Sequence, residues 1–244
     1  MKTSLPLRSY LTSVLSLLLL AACADPASGQ ILVKNGKFGG VTLTYKVILP
    51  DDYDENKTYP GILAMPPGPQ TMSMVDTMIA RNLSRESTKR GYITVIPAAP
   101  AEGLFFQGGA VAFPAFLDQI LSDYHIRDNK FHMIGISNGG ISAFHIAARY
   151  PQYFLTITGM PGYLRDSGKY MDAIKNMCIH MYVGENDNGW KDAMEAEAKQ
   201  FQDAGITTTF SIEPGQGHVM RTLQDKGAAR IFDALDAEPN GCAK

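Results

Sequence analysis

The segment Gly135-Ile136-Ser137-Asn138-Gly139-Gly140 is the most informative part of this sequence. An apolar, β-type run at 131–136 leads into the serine, and a helical pattern at 139–150 follows it. A serine on a tight strand-to-helix turn needs small neighbours two residues away on either side, because strand and helix approach closely there. A helix N-cap would explain Ser137 but not the flanking glycines. We therefore interpret Ser137 as a nucleophile.

Short β-type runs alternate with longer helical patterns on either side of this turn. Such alternation is typical of a mostly parallel central sheet with helices on both faces, so the predicted fold class is α/β, in one domain at 31–244. A hairpin is expected at 31–34 and 41–49. The predicted later strands are 62–65, 92–96, 131–136, 154–158, 178–183 and 206–212. The predicted helices are 72–90, 111–124, 139–150, 169–176, 190–203 and 222–237.

A serine hydroxyl needs a base to become nucleophilic near neutral pH, and histidine is the usual one. His218 lies in Pro214-Gly215-Gln216-Gly217-His218, a glycine-rich loop directly after the last predicted strand. Loops at the carboxyl ends of parallel strands carry the active residues of such sheets, so His218 is the predicted base. The remaining histidines fall within strands, in the helix after the serine or at the opposite sheet edge. They are His125, His132, His145 and His180.

A carboxylate must orient the imidazole and stabilise its cation. The loop after the strand at 178–183 contains Asp187, with Glu185 and Asp192 as alternatives. Asp187 as a simple cap of the next helix is the competing interpretation. The order serine, aspartate, histidine along the chain is that of a hydrolase nucleophile elbow and not of the two common protease orders.

These three motifs resemble those of the α/β-hydrolases, and the resemblance covers about residue 38 to the end of the chain. Within that superfamily the chain is similar to a lidless esterase branch that includes polyhydroxybutyrate depolymerase-like and feruloyl or acetyl esterase-like enzymes. The resemblance implies that Ser137 is acylated, that His218 is the base and that Asp187 orients it. It also implies an oxyanion donor at the backbone N–H of Asn138.

The second oxyanion donor is expected in the loop Met65-Pro66-Pro67-Gly68-Pro69-Gln70. Proline stands at 69, where the family donor would be, and proline has no N–H. Either Gln70 supplies its backbone N–H one position later, or the oxyanion hole is weaker than usual. Loss of one donor typically costs about 100- to 1,000-fold in rate.

The substrate is predicted to be a short-chain or polymer-linked ester, hydrolysed without a cofactor. The segment between the predicted elements ending at 158 and starting at 169 is too short for a helical lid, which disfavours long-chain lipase activity. Phe105, Phe106 and Trp190 are predicted to line a shallow apolar groove, with ordinary core packing as the alternative for each. Two other functions stay open: a serine peptidase of the prolyl-oligopeptidase-like type, and a non-catalytic surface lipoprotein that binds ligands.

The N-terminus has the pattern of a secretory signal. Lys2 and Arg8 precede an apolar run at 11–20, and Leu20-Ala21-Ala22-Cys23 resembles a bacterial lipobox. We expect a signal peptide at 1–22, a lipid on Cys23 and a tether at 23–30. The chain would then be exported and anchored to a bacterial membrane, on the periplasmic or cell-surface side. An uncleaved membrane anchor is the alternative.

The two other cysteines, Cys178 and Cys242, are predicted to form a disulfide. Cys178 begins a strand at the sheet edge opposite the active loops, and the terminal helix must run back towards that edge after His218. Export makes the oxidised form available.

Composition excludes several classes of function. The chain has 22 Lys and Arg against 24 Asp and Glu, for a net charge of −2, and no basic cluster. Nucleic acid is therefore not an expected partner. No His-rich or acidic stretch has metal-ligand spacing, so no metal site is expected. The expected partners are the ester substrate and, through the lipid, a membrane.

Overall fold

The computed structural model describes residues 29–101 and 103–242. The predicted signal peptide, Cys23 and most of the predicted tether lie outside the described residues. Within the described part, no helix combines the length and the apolar character needed to cross a membrane.

An eight-stranded sheet forms the centre of the molecule. In chain order the strands are β1 (Ile31–Phe38), β2 (Val41–Ile48), β3 (Tyr59–Met65), β4 (Ile93–Pro97), β5 (Ile126–Gly135), β6 (Phe154–Gly159), β7 (Cys178–Gly184) and β8 (Thr208–Glu213). Their order across the sheet is β1-β2-β4-β3-β5-β6-β7-β8. The pairs β1–β2 and β2–β4 are antiparallel, and every later pair is parallel. The α/β prediction is confirmed.

Helices cover both faces of the sheet. They are α1 (Met72–Met78), α2 (Ser84–Arg90), α3 (Phe113–Asp123), α4 (Asn138–Arg149), α5 (Ser167–Ile174), α6 (Asn188–Asp203) and α7 (Ala229–Ala237). A π-helical segment, Ile79–Leu83, joins α1 to α2, and Gly91 ends α2 in a left-handed conformation with φ of 75°. Buried apolar side chains of α3, α4, α5 and α6 belong to one apolar core, and those of α1, the π-helical segment and α7 belong to the other.

The last helix is shorter than the sequence pattern predicts. The pattern predicts a helix over 222–237, whereas α7 begins at Ala229 and is preceded by two 3₁₀ turns, Arg221–Leu223 and Asp225–Ala228. Gln224 between them is extended, with ψ of 160°, and Asp225 has a positive φ of 52°. These two backbone conformations interrupt the helix, although the apolar periodicity continues through them.

The predicted disulfide is confirmed. Cys178, the first residue of β7, is bonded to Cys242, and their α-carbons are 5.2 Å apart. Beside it, His180 Nε2 and Glu238 Oε2 are 3.0 Å apart, so a second contact ties the end of α7 to the same strand. Glu238 also lies close enough to both sulfur atoms to suggest a metal site, but the disulfide removes the thiolates such a site would need.

The segment 160–166 joins β6 directly to α5. Among the described residues no helical lid is inserted at this position, in agreement with the lidless architecture predicted from the sequence. The site at the carboxyl ends of the parallel strands is therefore open on this side.

Candidate active site

Ser137 occupies a strained turn between β5 and α4. Its backbone has φ of 58° and ψ of −120°, a combination that non-glycine residues rarely adopt. A β-carbon at Gly135 would overlap the carbonyl oxygen of Gly139, and one at Gly139 would overlap that of Met65. The Ser137 N–H donates to the Pro161 carbonyl oxygen at 2.8 Å, which fixes the turn. The flanking glycines are thus required by close packing of strand and helix, as the motif predicts.

The three residues predicted as a triad meet at the carboxyl edge of the sheet. His218 Nε2 lies 2.8 Å from Ser137 Oγ, and His218 Nδ1 lies 2.7 Å from Asp187 Oδ2. Asp187 is more enclosed than His218, with exposed side-chain fractions of 13% and 42%. A continuous hydrogen-bonded chain therefore links a carboxylate, an imidazole and a hydroxyl. Such a chain lets the imidazole take a proton from the serine while the carboxylate stabilises the imidazolium.

The geometry distinguishes Asp187 from its alternatives. Asp187 stands at the N-cap position of α6, yet its side chain makes no capping hydrogen bond and instead contacts His218. Glu185 Oε2 accepts a hydrogen bond from the Gly215 N–H at 2.8 Å, so it holds the histidine loop and not the imidazole. Asp192 lies on an exposed face of α6.

Two further hydrogen bonds join the loops after β7 and β8. The Glu185 N–H donates to the Glu213 carbonyl oxygen at 3.0 Å, and the Asn186 N–H donates to the Gln216 carbonyl oxygen at 2.8 Å. These bonds hold Asp187 and His218 close together, because Asp187 directly follows Asn186 and His218 lies two residues after Gln216. The carboxylate–imidazole contact is therefore built into the backbone.

The strand histidines have structural surroundings. His132 Nδ1 is 3.0 Å from Thr156 Oγ1, and His180 Nδ1 is 3.0 Å from Thr209 Oγ1. Burial lowers the pKa of His132 to about 4, and burial likewise lowers the pKa of His180. Both rings are part of the buried sheet and distant in the chain from the histidine loop, as their sequence positions predict.

Asn138 contributes to the nucleophile turn in two ways. It is the first residue of α4, where backbone N–H groups have no partner within the helix. Its side-chain Nδ2 donates to the Gly68 carbonyl oxygen at 3.0 Å, which ties the nucleophile turn to the loop after β3. The predicted oxyanion donor is thus a helix N-terminal N–H beside Ser137.

Gln70 does not fit the predicted role of oxyanion donor. Its backbone N–H donates to the Pro67 carbonyl oxygen at 3.0 Å, and its own carbonyl oxygen accepts from the Ala99 N–H at 2.8 Å. The side chain is fully buried, with Nε2 donating to Ser142 Oγ and Oε1 accepting from the Phe105 N–H, both at 3.1 Å. All four polar groups are used inside the protein, so Gln70 anchors the loop.

Gly68 is the remaining N–H donor in this loop. Prolines occupy positions 66, 67 and 69 and have no N–H, and the Gln70 N–H closes a turn. Gly68 has a positive φ of 58° and lines the pocket that also contains Ser137. Among the described residues its N–H has no hydrogen-bond acceptor, which leaves it available to a ligand. The available N–H therefore lies one residue before Pro69, the position at which the resemblance predicts the donor.

An apolar pocket of about 370 Å³ opens beside Ser137 and His218. Its walls come from the loop after β3, the helix that starts with α1, the end of β6 and the segment after His218. The lining residues are Pro67, Gly68, Met74, Thr77, Met78, Arg81, Asn82, Ile136, Ser137, Met160, His218, Val219, Met220, Leu223 and Gln224. The volume lies in the range of small-molecule sites. The methionines give it a soft wall that adapts to ligand shape.

The three aromatic residues predicted to line a groove have different surroundings. Phe105 is fully buried and packs edge-on against Phe113, so the alternative of core packing is correct for it. Phe106 is half-buried under the Arg165 guanidinium, 5.5 Å from the ring centroid. Trp190 packs against His218, with ring centroids 5.3 Å apart. None of the three lines the pocket beside Ser137.

No protein-family model matches the chain. A curated relative, dipeptidyl-peptidase 5 of Porphyromonas gingivalis, is 28% identical over 136 residues. That alignment covers 51% of this chain and 20% of the relative, so the chain matches only about a fifth of that protein's length.

Solved structures match far more of the chain. A feruloyl esterase module from Clostridium thermocellum, complexed with sinapinate, matches with a TM-score of 0.67 and 15% identity, over 90% of this chain and 91% of that one. Dienelactone hydrolase from Anabaena variabilis matches with a TM-score of 0.65 and 15% identity, over 86% and 97%. A thermostable esterase matches with a TM-score of 0.64 and 16% identity, over 75% and 54%. Together with the strand order and the serine turn, these likenesses show that the chain has the α/β-hydrolase fold.

Proposed function

We propose that the chain is a serine hydrolase that cleaves carboxylic esters through an acyl-enzyme. The observation that carries this proposal is the hydrogen-bonded chain from Asp187 through His218 to Ser137 at the mouth of an apolar pocket. Short-chain or polymer-linked esters are the proposed substrates, because no lid encloses the site among the described residues.

In the proposed mechanism, His218 Nε2 removes the proton from Ser137 Oγ as the oxygen attacks the ester carbonyl. The backbone N–H groups of Asn138 and Gly68 stabilise the oxyanion that forms. The imidazolium, stabilised by Asp187, then gives its proton to the leaving alcohol, and an acyl group remains on Ser137. Water activated by His218 releases the acid in the second half of the reaction.

Ester cleavage is favoured over peptide cleavage by the chemistry of the pocket. The partial match to a dipeptidyl-peptidase raises the second possibility. A peptidase that reads a free N-terminus needs carboxylates to hold the ammonium group. The described residues that line the pocket beside Ser137 include neither Asp nor Glu. The peptidase therefore remains the second candidate, and cleavage of dipeptide amides in place of esters would favour it.

We further propose that the enzyme works outside the cytoplasm on a lipid anchor. The support is the sequence Leu20-Ala21-Ala22-Cys23 after an apolar run, together with the disulfide between Cys178 and Cys242. The mature chain should begin at Cys23 and partition into detergent. Mass spectrometry of the native N-terminus tests this, and a start elsewhere without a lipid mass would contradict it.

Labelling with a fluorophosphonate probe and hydrolysis of p-nitrophenyl esters test the main proposal. Ser137→Ala should abolish labelling and lower kcat by at least about 10⁴-fold, because the nucleophile is lost. Ser73→Ala, an exposed serine on α1, is the matched control and should retain both. Labelling that persists in Ser137→Ala would place the nucleophile elsewhere. A folded wild-type protein that neither labels nor hydrolyses any ester would instead favour the binding lipoprotein.

A further inference from the structure

One face of the helix that begins with α1 forms a wall of the pocket. Met74, Thr77, Met78, Arg81 and Asn82 all line it. These positions are spaced three and four residues apart, which places them on one side of a helix. Met74 lies at the Gly68 end, since its sulfur would be 3.7 Å from a β-carbon at position 68. Arg81 is two turns further along the same face.

Arg81 is an exposed cation in this wall, with no ion-pair partner in the part of the chain that the structure describes. By contrast, Arg85 and Arg90 pair with Glu86, and Arg230 pairs with Glu213. Asp225 lines a neighbouring surface hollow together with Arg81.

The neighbour of Arg81 in the wall is fixed in place. The Asn82 side chain donates to the Leu223 carbonyl oxygen at 2.9 Å and is nearly fully buried. This bond ties the π-helical segment Ile79–Leu83 to the segment after His218. The helical segment that carries Arg81 is therefore anchored, through the Asn82 side chain, to the opposite side of the pocket.

The distance between Met74 and Arg81 sets the length of the chain that could lie between them. Met74 and Arg81 are seven residues apart, so at the α-helical rise of 1.5 Å per residue they are separated by at most about 10 Å along the helix, because the π-helical segment Ile79–Leu83 rises less per residue. An extended chain covers about 3.3–3.6 Å for every three bonds, so about eight or nine bonds span that distance. Between the ends the walls are apolar, with Met78, Met160 and Met220 among the lining residues.

We propose that this pocket binds the acyl group of the ester, and that Arg81 selects acyl groups of about eight carbons whose terminal carboxylate oxygen lies about eight bonds from the ester carbonyl carbon. This inference rests on the proposed ester hydrolase function and names its substrate class. Methylene groups of the chain would lie against the methionines, and the guanidinium would form a charge-assisted hydrogen bond with the terminal carboxylate.

The acyl group, and not the leaving alcohol, is assigned to the pocket because of the position of His218. The leaving oxygen must face His218 Nε2 to receive its proton. Trp190 packs against the same imidazole and is not part of the pocket lining, so that side of His218 is a separate surface. The alcohol leaves along that surface, and the pocket on the Gly68 side remains for the acyl chain.

Three p-nitrophenyl substrates test the proposal on the full chain: the hydrogen suberate, with eight carbons and a terminal carboxylate; the octanoate, equally long and neutral; and the hydrogen succinate, too short to reach Arg81. Arg81→Gln should lower kcat/KM for the suberate about tenfold at low salt, as expected for loss of a charge-assisted hydrogen bond. The kcat/KM values for the octanoate and the succinate should change by less than about twofold. Arg81→Lys should recover part of the loss, and rising salt should diminish it.

Arg85→Gln is the matched control, because Arg85 lies one turn further along the same helix and does not line this pocket. Arg85→Gln should leave kcat/KM unchanged for all three substrates. Equal losses for suberate and octanoate in Arg81→Gln would mean that the Arg81 stem merely packs the pocket. An unchanged suberate rate in Arg81→Gln would also overturn the proposal.

A binding measurement separates this proposal from the proposed hydrolase function. Calorimetric titration of Ser137→Ala with suberate, the acid that the reaction would release, requires no turnover. Adding Arg81→Gln should weaken suberate binding about tenfold and leave the binding of octanamide, a neutral ligand of the same length, unchanged. If the wild type hydrolyses no ester and yet this difference appears, the hydrolase function fails and the Arg81 site stands. If esters are cleaved and the difference is absent, only the Arg81 proposal fails.

Discussion

The rings of His218 and Trp190 are in contact, with centroids 5.3 Å apart and planes inclined by 54°. Tyr163 in turn packs edge-on against Trp190, with ring centroids 5.3 Å apart and planes inclined by 82°. Asp187 holds the imidazole at its Nδ1 edge. The ring is therefore held by a hydrogen bond at one edge and by an indole beside it, although its side chain is 42% exposed.

Trp190 should act as a positioning residue for His218. We expect Trp190→Leu to lower kcat about tenfold with little change in KM, because a misplaced imidazole weakens proton transfer and not substrate binding. Trp190→Phe should restore most of the activity. Steady-state kinetics with a p-nitrophenyl ester check this. A rise in KM alone would show that Trp190 binds substrate, as the sequence first suggests.

Asp187→Asn should lower kcat by about 10⁴-fold while the protein remains folded. The amide can keep the position of the side chain, but it favours the wrong imidazole tautomer and does not stabilise the imidazolium. Asp192→Asn, five residues along on the exposed face of α6, should keep full activity. Equal activities of the two variants would remove Asp187 from the mechanism.

Loss of the disulfide should destabilise the protein without impairing the site. The bond closes a sequence separation of 64 residues, for which chain entropy gives a stabilisation on the order of 4 kcal/mol. We expect the variant with Cys178→Ala and Cys242→Ala to unfold at lower urea concentration and to keep kcat within about twofold, because β7 begins at the edge opposite its active loop.

Reduction provides the internal control for the disulfide. Dithiothreitol should lower the urea midpoint of the wild type to that of the double variant and should not change the double variant. A wild-type midpoint that does not respond to complete reduction would show that the bond adds no stability.

Glu197 should make stability depend on pH. Its carboxylate accepts a hydrogen bond from the Leu164 N–H at 2.6 Å, and burial raises its pKa from 4.5 to about 8. Because the folded state holds this proton more tightly than the unfolded chain, the resulting stability is complete below about pH 4.5 and is lost as pH rises to about 8. Thermal melts should show the Tm of Glu197→Gln rising relative to wild type across this interval.

The control for this effect is Glu195→Gln, an exposed position on the same helix. Its Tm should follow the wild type at every pH. Parallel curves for wild type and Glu197→Gln would show that Glu197 titrates normally in the folded protein.

The sequence predicts the parts of the site that local chemistry dictates. Gly135 and Gly139 lie on either side of Ser137, where β5 and α4 approach too closely for a β-carbon. The nucleophile turn can therefore be predicted from the six residues 135–140. His218 and Asp187 follow from the rule that parallel strands present their active loops at one edge. The disulfide follows from the same rule applied to the opposite edge.

The parts that failed depend on contacts distant in the chain. The local sequence does not show whether an aromatic residue in a loop is buried or exposed. Phe105 is buried because its ring packs against Phe113 and its N–H donates to the Gln70 side chain. Gln70 was predicted to donate its N–H to substrate, but the turn to Pro67 uses it. Arg81 has no distinctive local pattern, and only the assembled pocket reveals its position.

The three prolines around Gly68 have a consequence for the time course of the reaction. Proline fixes φ, and the turn from Pro67 to Gln70 is closed by a hydrogen bond, so few other conformations are open to this loop. Gly68 therefore holds its position before any substrate arrives, and the first turnover need not wait for a loop to close. A burst of product should begin without a lag after mixing, and detergent micelles should not accelerate it.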